Sequence, residues 1–177
     1  MSIPPVNLVI RKVNITDLPR LEWDGEYAHF RRLYQEVYTQ SLTRKAVMWL
    51  AEDPSHHLMG QLFIQLKTRR VDLADGRYRA YLFGFRVKPE YQNQGVGHQM
   101  LLKAEQDLIH RRFRRVCLNV IQTNPRARQF YQRYGYQVLG PDAGIWNYQD
   151  NDGLWHNMEE PAWRMEKELV QSISLMK

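Results

Sequence analysis

The chain has 177 residues, of which 44% are hydrophobic and 25% are charged, a balance typical of a soluble globular protein with one domain. No apolar run approaches the roughly 18 residues of a membrane-spanning helix, and the first residues lack the pattern of a signal peptide, so we expect a cytoplasmic protein without a membrane partner. The single cysteine excludes an internal disulfide, and the net charge of +6 is compatible with an anionic ligand or with nucleic acid.

Hydrophobic periodicity predicts an α/β domain that spans residues 1–177 without a dividing linker. Its elements follow one another in the order β-α-α-β-β-β-α-β-α-β-β. Strands are predicted over 7–13, 46–51, 57–67, 78–87, 115–121, 136–139 and 162–169. Helices are predicted over 15–22, 26–42, 96–110 and 125–134. Residues 140–161 are predicted to be a long loop.

Two glycines, Gly95 and Gly97, lie where the strand predicted over 78–87 has ended and the helix predicted over 96–110 begins. The first backbone N–H groups of a helix have no partner within it, and the helix dipole makes that end favourable for anions. Glycine lets a phosphate approach this backbone because no side chain stands in the way. The stretch from Val87 to His98 therefore predicts a site for a phosphate-bearing ligand.

Three kinds of glycine-rich nucleotide site compete for this turn. A P-loop is excluded because neither glycine is followed by Lys-Ser or Lys-Thr. A dinucleotide fingerprint is disfavoured because Met100 stands at its third glycine position and several strands precede the turn. The remaining pattern, Q/R-x-x-G-x-G/A, is met by residues 92–97, and a purely structural turn is the alternative.

A second motif runs from Asn124 to Tyr136. Asn124 is a good N-cap, Pro125 suits the first helical position, and Gly135 suits the left-handed residue that ends a helix. By spacing, the apolar face of this helix consists of Ala127, Phe130, Tyr131 and Tyr134. On its own the motif indicates a well-capped amphipathic helix.

Together the two motifs resemble the GNAT N-acetyltransferase superfamily. The glycine turn matches that family's Q/R-x-x-G-x-G/A pattern, and residues 124–136 match N-x-x-A-x-x-F/L-Y-x-x-x-G-F/Y at each defined position. The motifs occur in the family's order with a strand between them, and they cover residues 81–136. The resemblance implies a GNAT fold, in which a mixed and mostly antiparallel central sheet has helices on both faces and two splayed strands form an acyl-CoA cleft. It implies transfer of an acetyl group from acetyl-CoA, the co-substrate, to a primary amine.

The resemblance also implies which residues bind acetyl-CoA. The pantetheine and the acetyl carbonyl should bond the backbone of Phe85, Arg86 and Val87. The pyrophosphate should lie among the backbone N–H groups of Gln92, Asn93, Gln94, Gly95, Val96, Gly97 and His98. Asn124 should contact the cofactor, and the Tyr131 hydroxyl should face the thioester sulfur. Tyr131 is thereby the candidate general acid that protonates the departing thiolate.

The general base lies outside these motifs. Some family members have a glutamate on the strand where this chain has Asn119, which does not take up a proton. A carboxylate from elsewhere or a chain of water molecules must then serve. Glu26 is the candidate base, with Glu22 and Asp24 beside it, because the first helix–loop–helix region walls the acceptor site in this family.

The predicted loop is acidic, whereas the remainder of the chain is basic. Residues 140–163 contain no Lys or Arg, and their carboxylates are Asp142, Asp150, Asp152, Glu159 and Glu160. The same segment contains Trp146, Tyr148, Trp155 and Trp163. Carboxylates beside aromatic faces favour a positively charged amine as the acceptor, such as a polyamine, an aminoglycoside-like compound or a peptide amino group. A solvated loop anchored by its tryptophans is the alternative.

Two further interpretations compete with catalysis. A protein that keeps the cleft but has lost the chemistry would be an acyl-CoA sensor or an interaction module. The arginine cluster at 111–115 allows nucleic-acid binding, but no helix-turn-helix, zinc-finger or RNP-like pattern accompanies it, so we expect a solvated helix end instead. We expect no metal site, and a homodimer paired through edge strands is common in the family that the chain resembles.

Overall fold

The computed structural model describes residues 6–169. Its strands are β1 (Val9–Lys12), β2 (Ala46–Glu52), β3 (Leu58–Gln65), β4 (Arg79–Val87), β5 (Arg115–Ile121), β6 (Gln137–Asp142), β7 (Ile145–Gln149), β8 (Trp155–Glu159) and β9 (Ala162–Glu168). Its α-helices are α1 (Arg31–Leu42), α2 (Val96–His110) and α3 (Pro125–Arg133). Short 3-10 segments occupy Ile15–Glu22, Ala28–Phe30 and Pro89–Tyr91. No helix in this described range has the length and apolar character that crossing a membrane requires.

Seven strands form one sheet in the spatial order β1-β2-β3-β4-β5-β9-β6, while β7 and β8 form a separate hairpin. Every neighbouring pair in the sheet is antiparallel except β4 and β5, which run parallel. Alternate residues of β2 face opposite sides: Val47 and Trp49 pack with α2 and α3, whereas Met48 and Leu50 pack with α1. The predicted mostly antiparallel sheet with helices on both faces is therefore confirmed.

The parallel strands β4 and β5 separate part-way along their length. They pair only over Arg79↔Arg115, Ala80↔Val116 and Tyr81↔Cys117. Beyond that point β4 continues to Val87 and β5 continues to Ile121, where β5 is paired with β9. The edge of β4 that would face β5 therefore has no strand partner from residue 82 onward, and a cleft opens between the two strands. The predicted splayed strands are confirmed.

A β-bulge in β4 orients the side chains at this cleft. The register with β3 shifts between Gln61 and Phe63, because β4 has one extra residue there. Gly84 accommodates the bulge by adopting a φ of +60°, in the left-handed region. After the bulge, the ring of Phe85 packs toward α3, whereas the guanidinium of Arg86 lies over rings that precede α1. Consecutive side chains of a strand alternate between the two faces in any case. Phe83 packs on the α1 side, so the extra residue reverses the alternation and places Phe85, rather than Arg86, on the face of α3.

Gly84→Ala should destabilise the protein. A Cβ at this position would stand 2.6 Å from Cδ2 of the buried Phe63 ring, and the left-handed backbone adds strain. We expect the free energy of unfolding to fall by about 2–4 kcal/mol, since overpacking and backbone strain each cost about 1–3 kcal/mol. Denaturant unfolding measures the change, and Gly140→Ala is the matched control because nothing lies within 4 Å of a Cβ there. Equal midpoints for the two variants would contradict the role given to Gly84.

The prediction of a loop over 140–161 was wrong. β6 continues further than predicted, and the segment then forms the hairpin β7–β8, in which Gln149 pairs with Trp155 beside the turn. Trp146 and Tyr148 face inward and pack on the apolar cluster around α1. Polar residues such as Asn147 alternate with these aromatics. A two-stranded hairpin has little core of its own and is stabilised here by contact with the rest of the fold, so its sequence resembles that of a loop.

The two helices predicted before residue 42 differ from the structure, the first in its type and the second in where it begins. Ile15–Glu22 is a 3-10 helix that contains Pro19 and is capped by Asn14. Trp23 and Asp24 adopt left-handed φ values of 48° and 56°. This turn interrupts the helical pattern, and α1 consequently begins only at residue 31 rather than at residue 26.

Candidate active site

A groove of about 540 Å³ lies beside the splayed end of β4. Its walls come from β4, from the turn before α2 and from α3. The groove is lined by Phe85, Val87, Gln92, Asn93, Gly95, Gly97, His98, Asn124, Arg126, Ala127, Phe130, Tyr131, Arg133 and Tyr134. The glycine turn and the helix of the second motif, which are separate in the chain, therefore share one cavity.

Most of the predicted cofactor residues line this groove, but three do not. The Arg86 side chain packs with the rings before α1, and Val96 is buried in the core. Gln94 folds back, and its Nε2 donates to the Glu90 carbonyl over 2.7 Å. These three residues have only their backbone to offer a ligand in the groove, because the motif describes a backbone path and not the directions of side chains.

The N-terminus of α2 is open toward the groove. Gly95 is the N-cap residue with a φ of 82°, and no side chain in the described range accepts a hydrogen bond as its cap. A Cβ on Gly97 would stand 3.5 Å from the Phe130 ring, so this glycine keeps the approach to the helix clear. Uncapped N–H groups at a helix N-terminus attract anions. This end of the groove is therefore suited to a pyrophosphate.

Side chains from two directions hold the glycine turn in place. Gln92 Nε2 donates to the Val87 carbonyl over 2.9 Å and ties the turn to the end of β4. Arg126 Nη2 donates to Asn93 Oδ1 over 2.7 Å and ties the turn to α3. Arg126 and Arg133 also line the groove, where their charge favours phosphates. The resemblance to the family implies that Arg126, Arg128 and Arg133 flank the cofactor side; the first and the last of them line the groove, whereas Arg128 does not.

Asn124 and His98 each contact a second element of the site. Asn124 Oδ1 accepts a hydrogen bond from the Ala127 N–H over 3.0 Å, so this oxygen serves the cap of α3, while the side-chain amide group can still donate to a ligand. The His98 ring stacks on Tyr134 at a centroid distance of 4.1 Å and an angle of 10°. The stack joins α2 to α3 across the groove, a contact that the spacing of the motifs did not predict.

Tyr131 lies on α3 with 8% of its surface exposed. Its ring packs against Phe85, Phe130 and Tyr136, at centroid distances of 6.4, 5.3 and 5.4 Å. Burial raises the pKa of the Tyr131 hydroxyl well above its ordinary value, the charge of Tyr81 adds to this, and no hydrogen bond from the described residues opposes it. The hydroxyl therefore stays protonated at neutral and alkaline pH and is able to donate a hydrogen bond into the groove.

The candidate bases precede α1. Glu26 is exposed in the turn between two 3-10 segments, close to the Tyr27 hydroxyl. Glu22 accepts hydrogen bonds from Arg31 Nε and Nη2 over 2.6 and 2.9 Å, and this pairing lowers the pKa of Glu22. A carboxylate with a lowered pKa and an arginine partner is a poor base. Of the three predicted acids, Glu26 and Asp24 are the ones that remain exposed.

The sequence as a whole decides the family. A family profile described as "Acetyltransferase (GNAT) family" matches residues 15–136. The chain belongs to this family. It is an acetyltransferase, and the acyl donor of the family is acetyl-CoA. Among curated proteins, no sequence match was found.

Solved structures share the fold of this acetyltransferase at low sequence identity. The ribosomal-protein-S18-alanine N-acetyltransferase from Escherichia coli is 19% identical with a TM-score of 0.67, and the match covers 96% of this chain and 99% of that chain. Arabidopsis thaliana NAA60 in complex with acetyl-CoA is 19% identical with a TM-score of 0.69, over 92% and 99% of the two chains. A spermidine N-acetyltransferase SpeG chimera from Vibrio cholerae and hSSAT is 16% identical with a TM-score of 0.68, over 97% and 99%. At such identities these matches support the fold and not the substrate.

The carboxylates in the hairpin of this acetyltransferase mostly serve the hairpin itself. Asp150 Oδ1 accepts two backbone N–H groups of the turn, and Oδ2 lies 2.6 Å from His156 Nε2, a contact that lowers the pKa of Asp150. Glu160 accepts a hydrogen bond from Trp146 Nε1 over 2.7 Å. The exposed acids of the hairpin are Asp152 and Glu159. Fewer acids are thus free to meet an acceptor than the composition of the segment indicates.

Proposed function

We propose that this acetyltransferase transfers an acetyl group directly from acetyl-CoA to the primary amine of a positively charged acceptor. The observation that supports it most is the Tyr131 hydroxyl, which lines the same groove as the glycine turn and has no partner among the described residues. Binding of a donor alone has no need of a protonated hydroxyl there, whereas group transfer must stabilise a departing thiolate.

The groove is suited to the parts of acetyl-CoA. The edge of β4 from residue 82 to residue 87 has no strand partner and offers backbone groups to the amides of pantetheine. The open N-terminus of α2 offers N–H groups to the pyrophosphate. Arg126 and Arg133 add positive charge beside the phosphates. When bound, acetyl-CoA supplies the activated acyl carbon.

In the proposed reaction the amine nitrogen forms a bond to the acetyl carbon, and the bond from that carbon to sulfur breaks. A backbone N–H near Val87 stabilises the negative charge that develops on the acetyl oxygen. Tyr131 donates its hydroxyl hydrogen to the sulfur, first as a hydrogen bond and then as a proton. Burial raises the pKa of Tyr131, so its hydroxyl is protonated when the thiolate forms, and burial likewise favours the neutral thiol over the thiolate. The surplus proton of the amine passes to Glu26, directly or through water.

Glu26→Gln should slow the reaction most at low pH. A primary amine with an ordinary pKa of about 10.4 is protonated in solution and must lose a proton before it attacks. We expect kcat/KM to fall by about 100-fold near neutral pH, and the deficit to shrink as the pH rises and the free amine becomes abundant. Rates measured against pH provide the check, with the exposed Glu36→Gln on α1 as the matched control. A variant with the rate and pH profile of the wild type would exclude Glu26 as the base.

The positive charge of the proposed acceptor is supported by exposed acids on the side of the sheet that carries α1. Asp24 and Glu26 lie in the turn before α1, and Asp152 lies in the turn of the hairpin. Asn151 Nδ2 donates to the Ala28 carbonyl over 2.9 Å and joins these two turns. Carboxylates grouped on one side of a protein attract cations and are screened by salt.

Release of free thiol from acetyl-CoA, followed against a panel of amines, tests the proposed function. Cys117 does not disturb this readout, because it is buried and burial raises its pKa to about 12. We expect turnover with at least one class of polyamine, aminoglycoside, amino acid or peptide amine, and a KM that rises with ionic strength. Silence across the panel with acetyl-CoA binding intact would instead support the alternative, a non-catalytic acyl-CoA sensor or interaction module.

A further inference from the structure

The Arg86 side chain lies in a position that donor binding does not explain. It projects from the splayed half of β4 and does not line the groove. Its guanidinium carbon stands 4.3 Å from the centroid of the Tyr27 ring and 5.4 Å from that of Phe30. Gln61, the residue opposite Arg86 on β3, accepts a hydrogen bond from Trp23 Nε1 over 3.1 Å. Aromatic rings therefore hold the arginine near the end of β4, five residues beyond the last pair with β5, Tyr81↔Cys117.

Arg86 also lacks the counter-charge that other half-buried arginines have. Seven arginines in the range 6–169 are neither exposed nor fully buried. Carboxylate oxygens lie within 4.0 Å of five of them, Arg11, Arg20, Arg79, Arg111 and Arg164. Arg86 and Arg128 have no such partner in that range. A half-buried guanidinium without a counter-ion keeps its attraction for an incoming anion, and water screens this attraction less than at an open surface.

The hairpin β7–β8 covers the rings that hold Arg86. The Tyr148 ring stands 4.8 Å from the Phe30 ring, edge to face. Arg32 Nη1 donates to Gln149 Oε1 over 3.2 Å, which fastens the hairpin to α1. The rings of Tyr27 and Phe30 limit the motion of the guanidinium and shield part of it from water, and both effects strengthen a charge-assisted hydrogen bond to a ligand.

The negative charge of Glu26 lies near the hydroxyl of Tyr27, the tyrosine whose ring contacts Arg86. Burial raises the pKa of the Tyr27 hydroxyl most, and the charge of Arg86 opposes this rise whereas that of Glu26 adds to it. Both charged groups therefore lie close to that hydroxyl. No carboxylate oxygen comes within 4.0 Å of Arg86 in the described residues, so Glu26 and Arg86 do not neutralise each other as an ion pair. A small molecule with an ammonium and a carboxylate on one carbon presents the complementary pair of charges.

We propose that the acceptor is an α-amino acid with a free carboxylate, and that Arg86 binds this carboxylate while the α-amine faces the acetyl group. This inference rests on the proposed function and names the class of its amine. The positive charge of the proposed acceptor is then the ammonium group of a zwitterion, and Arg86 binds the negative charge that accompanies it. Arginine binds a carboxylate through two parallel N–H···O bonds, which fix the orientation of the amino acid as well as adding affinity. An amine without a carboxylate would leave Arg86 without a counter-charge. Arg86 is then a residue that determines specificity.

An amino acid and its primary amide form a pair of test acceptors that differ in structure at the carboxylate alone. The amide also has the less basic α-amine, so kcat/KM is compared for the free-amine form of each acceptor. For the wild-type protein, kcat/KM for the amino acid should exceed that for the amide by about 10- to 100-fold, the range of one charge-assisted bidentate contact. Arg86→Gln should remove most of this preference, because it should raise the KM for the amino acid by a much larger factor than the KM for the amide. Arg86→Lys should keep part of the preference, because lysine retains the positive charge but cannot form the two parallel hydrogen bonds of a guanidinium.

The exposed Arg69 provides the control, since Arg69→Gln removes the same charge elsewhere and should leave the preference intact. Equal use of amino acids and amides, or a preference that Arg86→Gln does not change, would overturn the inference while N-acetyltransferase activity stands. Melting curves check that Arg86→Gln is folded. If it is not folded, the same preference is measured with Arg86→Lys: a reduced preference supports the inference, and an unchanged preference overturns it.

Absence of turnover with every amine would overturn the proposed function, and the inference then has a readout of its own. Calorimetric titration of the standard amino acids into the CoA-saturated protein measures binding without chemistry. Binding by the wild type that Arg86→Gln weakens by about 10-fold or more would support the carboxylate site. Binding by neither protein, or equal binding by both, would overturn it.

Discussion

Tyr131→Phe should lower kcat by about 100- to 10,000-fold while leaving the Kd for acetyl-CoA unchanged. The hydroxyl has no hydrogen-bond partner among the described residues, so its removal breaks no contact within the protein. The ring keeps its packing against Phe85, Phe130 and Tyr136 in the variant. The loss therefore falls on the step in which the thiolate departs and not on folding or binding. Thiol release gives kcat, and calorimetry with acetyl-CoA gives Kd.

Two comparisons make this result decisive. Tyr78→Phe is the matched control, because Tyr78 is 41% exposed and lies beside Arg77, outside the groove. A Tyr131→Phe variant with wild-type kcat would contradict the general-acid role. In the wild type, the raised pKa of Tyr131 keeps the hydroxyl protonated, so its ionisation should cause no loss of activity below about pH 10, the ordinary tyrosine pKa.

Arg11→Met should lower the free energy of unfolding by about 3–5 kcal/mol, the cost of leaving a buried ion pair without one partner. The side chains of Asp17 and Glu52 are 4% exposed, and Arg11 contacts them over 2.7 and 3.0 Å. Arg20 also contacts both, over 2.8 and 3.0 Å, but a single guanidinium does not neutralise two carboxylates. Denaturant unfolding measures the loss, with the exposed Arg69→Met as the control. A midpoint equal to that of the control would show that Arg20 is sufficient.

The same network should make stability depend on pH in acid. Burial acts to raise the pKa values of Asp17 and Glu52, but hydrogen bonds from Arg11 and Arg20 outweigh it and lower both to about 2, from 3.8 and 4.5. A carboxylate with a lowered folded-state pKa contributes its full stability above the unfolded pKa and loses it as the pH falls through the folded value. Stability should therefore decline between about pH 4.5 and pH 2. Arg11→Met should make this decline shallower, and equal slopes for the two proteins would argue against the network as its cause.

The groove that we propose for acetyl-CoA was predictable because it is built from local patterns. α2 spans Val96–His110 as predicted. In the sequence, its start is marked by glycines that stand between the hydrophobic pattern of a strand and that of a helix. Asn124 and Pro125 predict the start of α3, and the capping bond to the Ala127 N–H confirms this start. Each signal arises within one turn of helix, where a residue and its partners are close in the chain.

The formation of a homodimer through edge strands stays a prediction. In the described residues the edges of the seven-stranded sheet are β1 and β6.

The acceptor side was less predictable because its contacts join residues far apart in the chain. Glu22 was a candidate base, but Arg31 occupies its carboxylate. The acidic segment was taken for a loop, yet Asp150 and Glu160 are used to hold a hairpin. Composition counts charges, whereas only the folded arrangement shows which charges are already paired.

The sequence by itself determined the family and the fold class, and it named most of the residues that line the groove proposed for acetyl-CoA. Motifs and hydrophobic periods are enough for this, because they act through backbone conformation and local caps. The tertiary structure decided which acids and arginines remain free on the acceptor side. The bulge at Gly84 turns Phe85 toward the groove and Arg86 toward Tyr27. An isolated glycine in a strand pattern is typical of a bulge, but it does not show which face each following side chain takes. The availability of a charge depends on contacts between distant segments, and these exist only after the sheet and its layers have assembled.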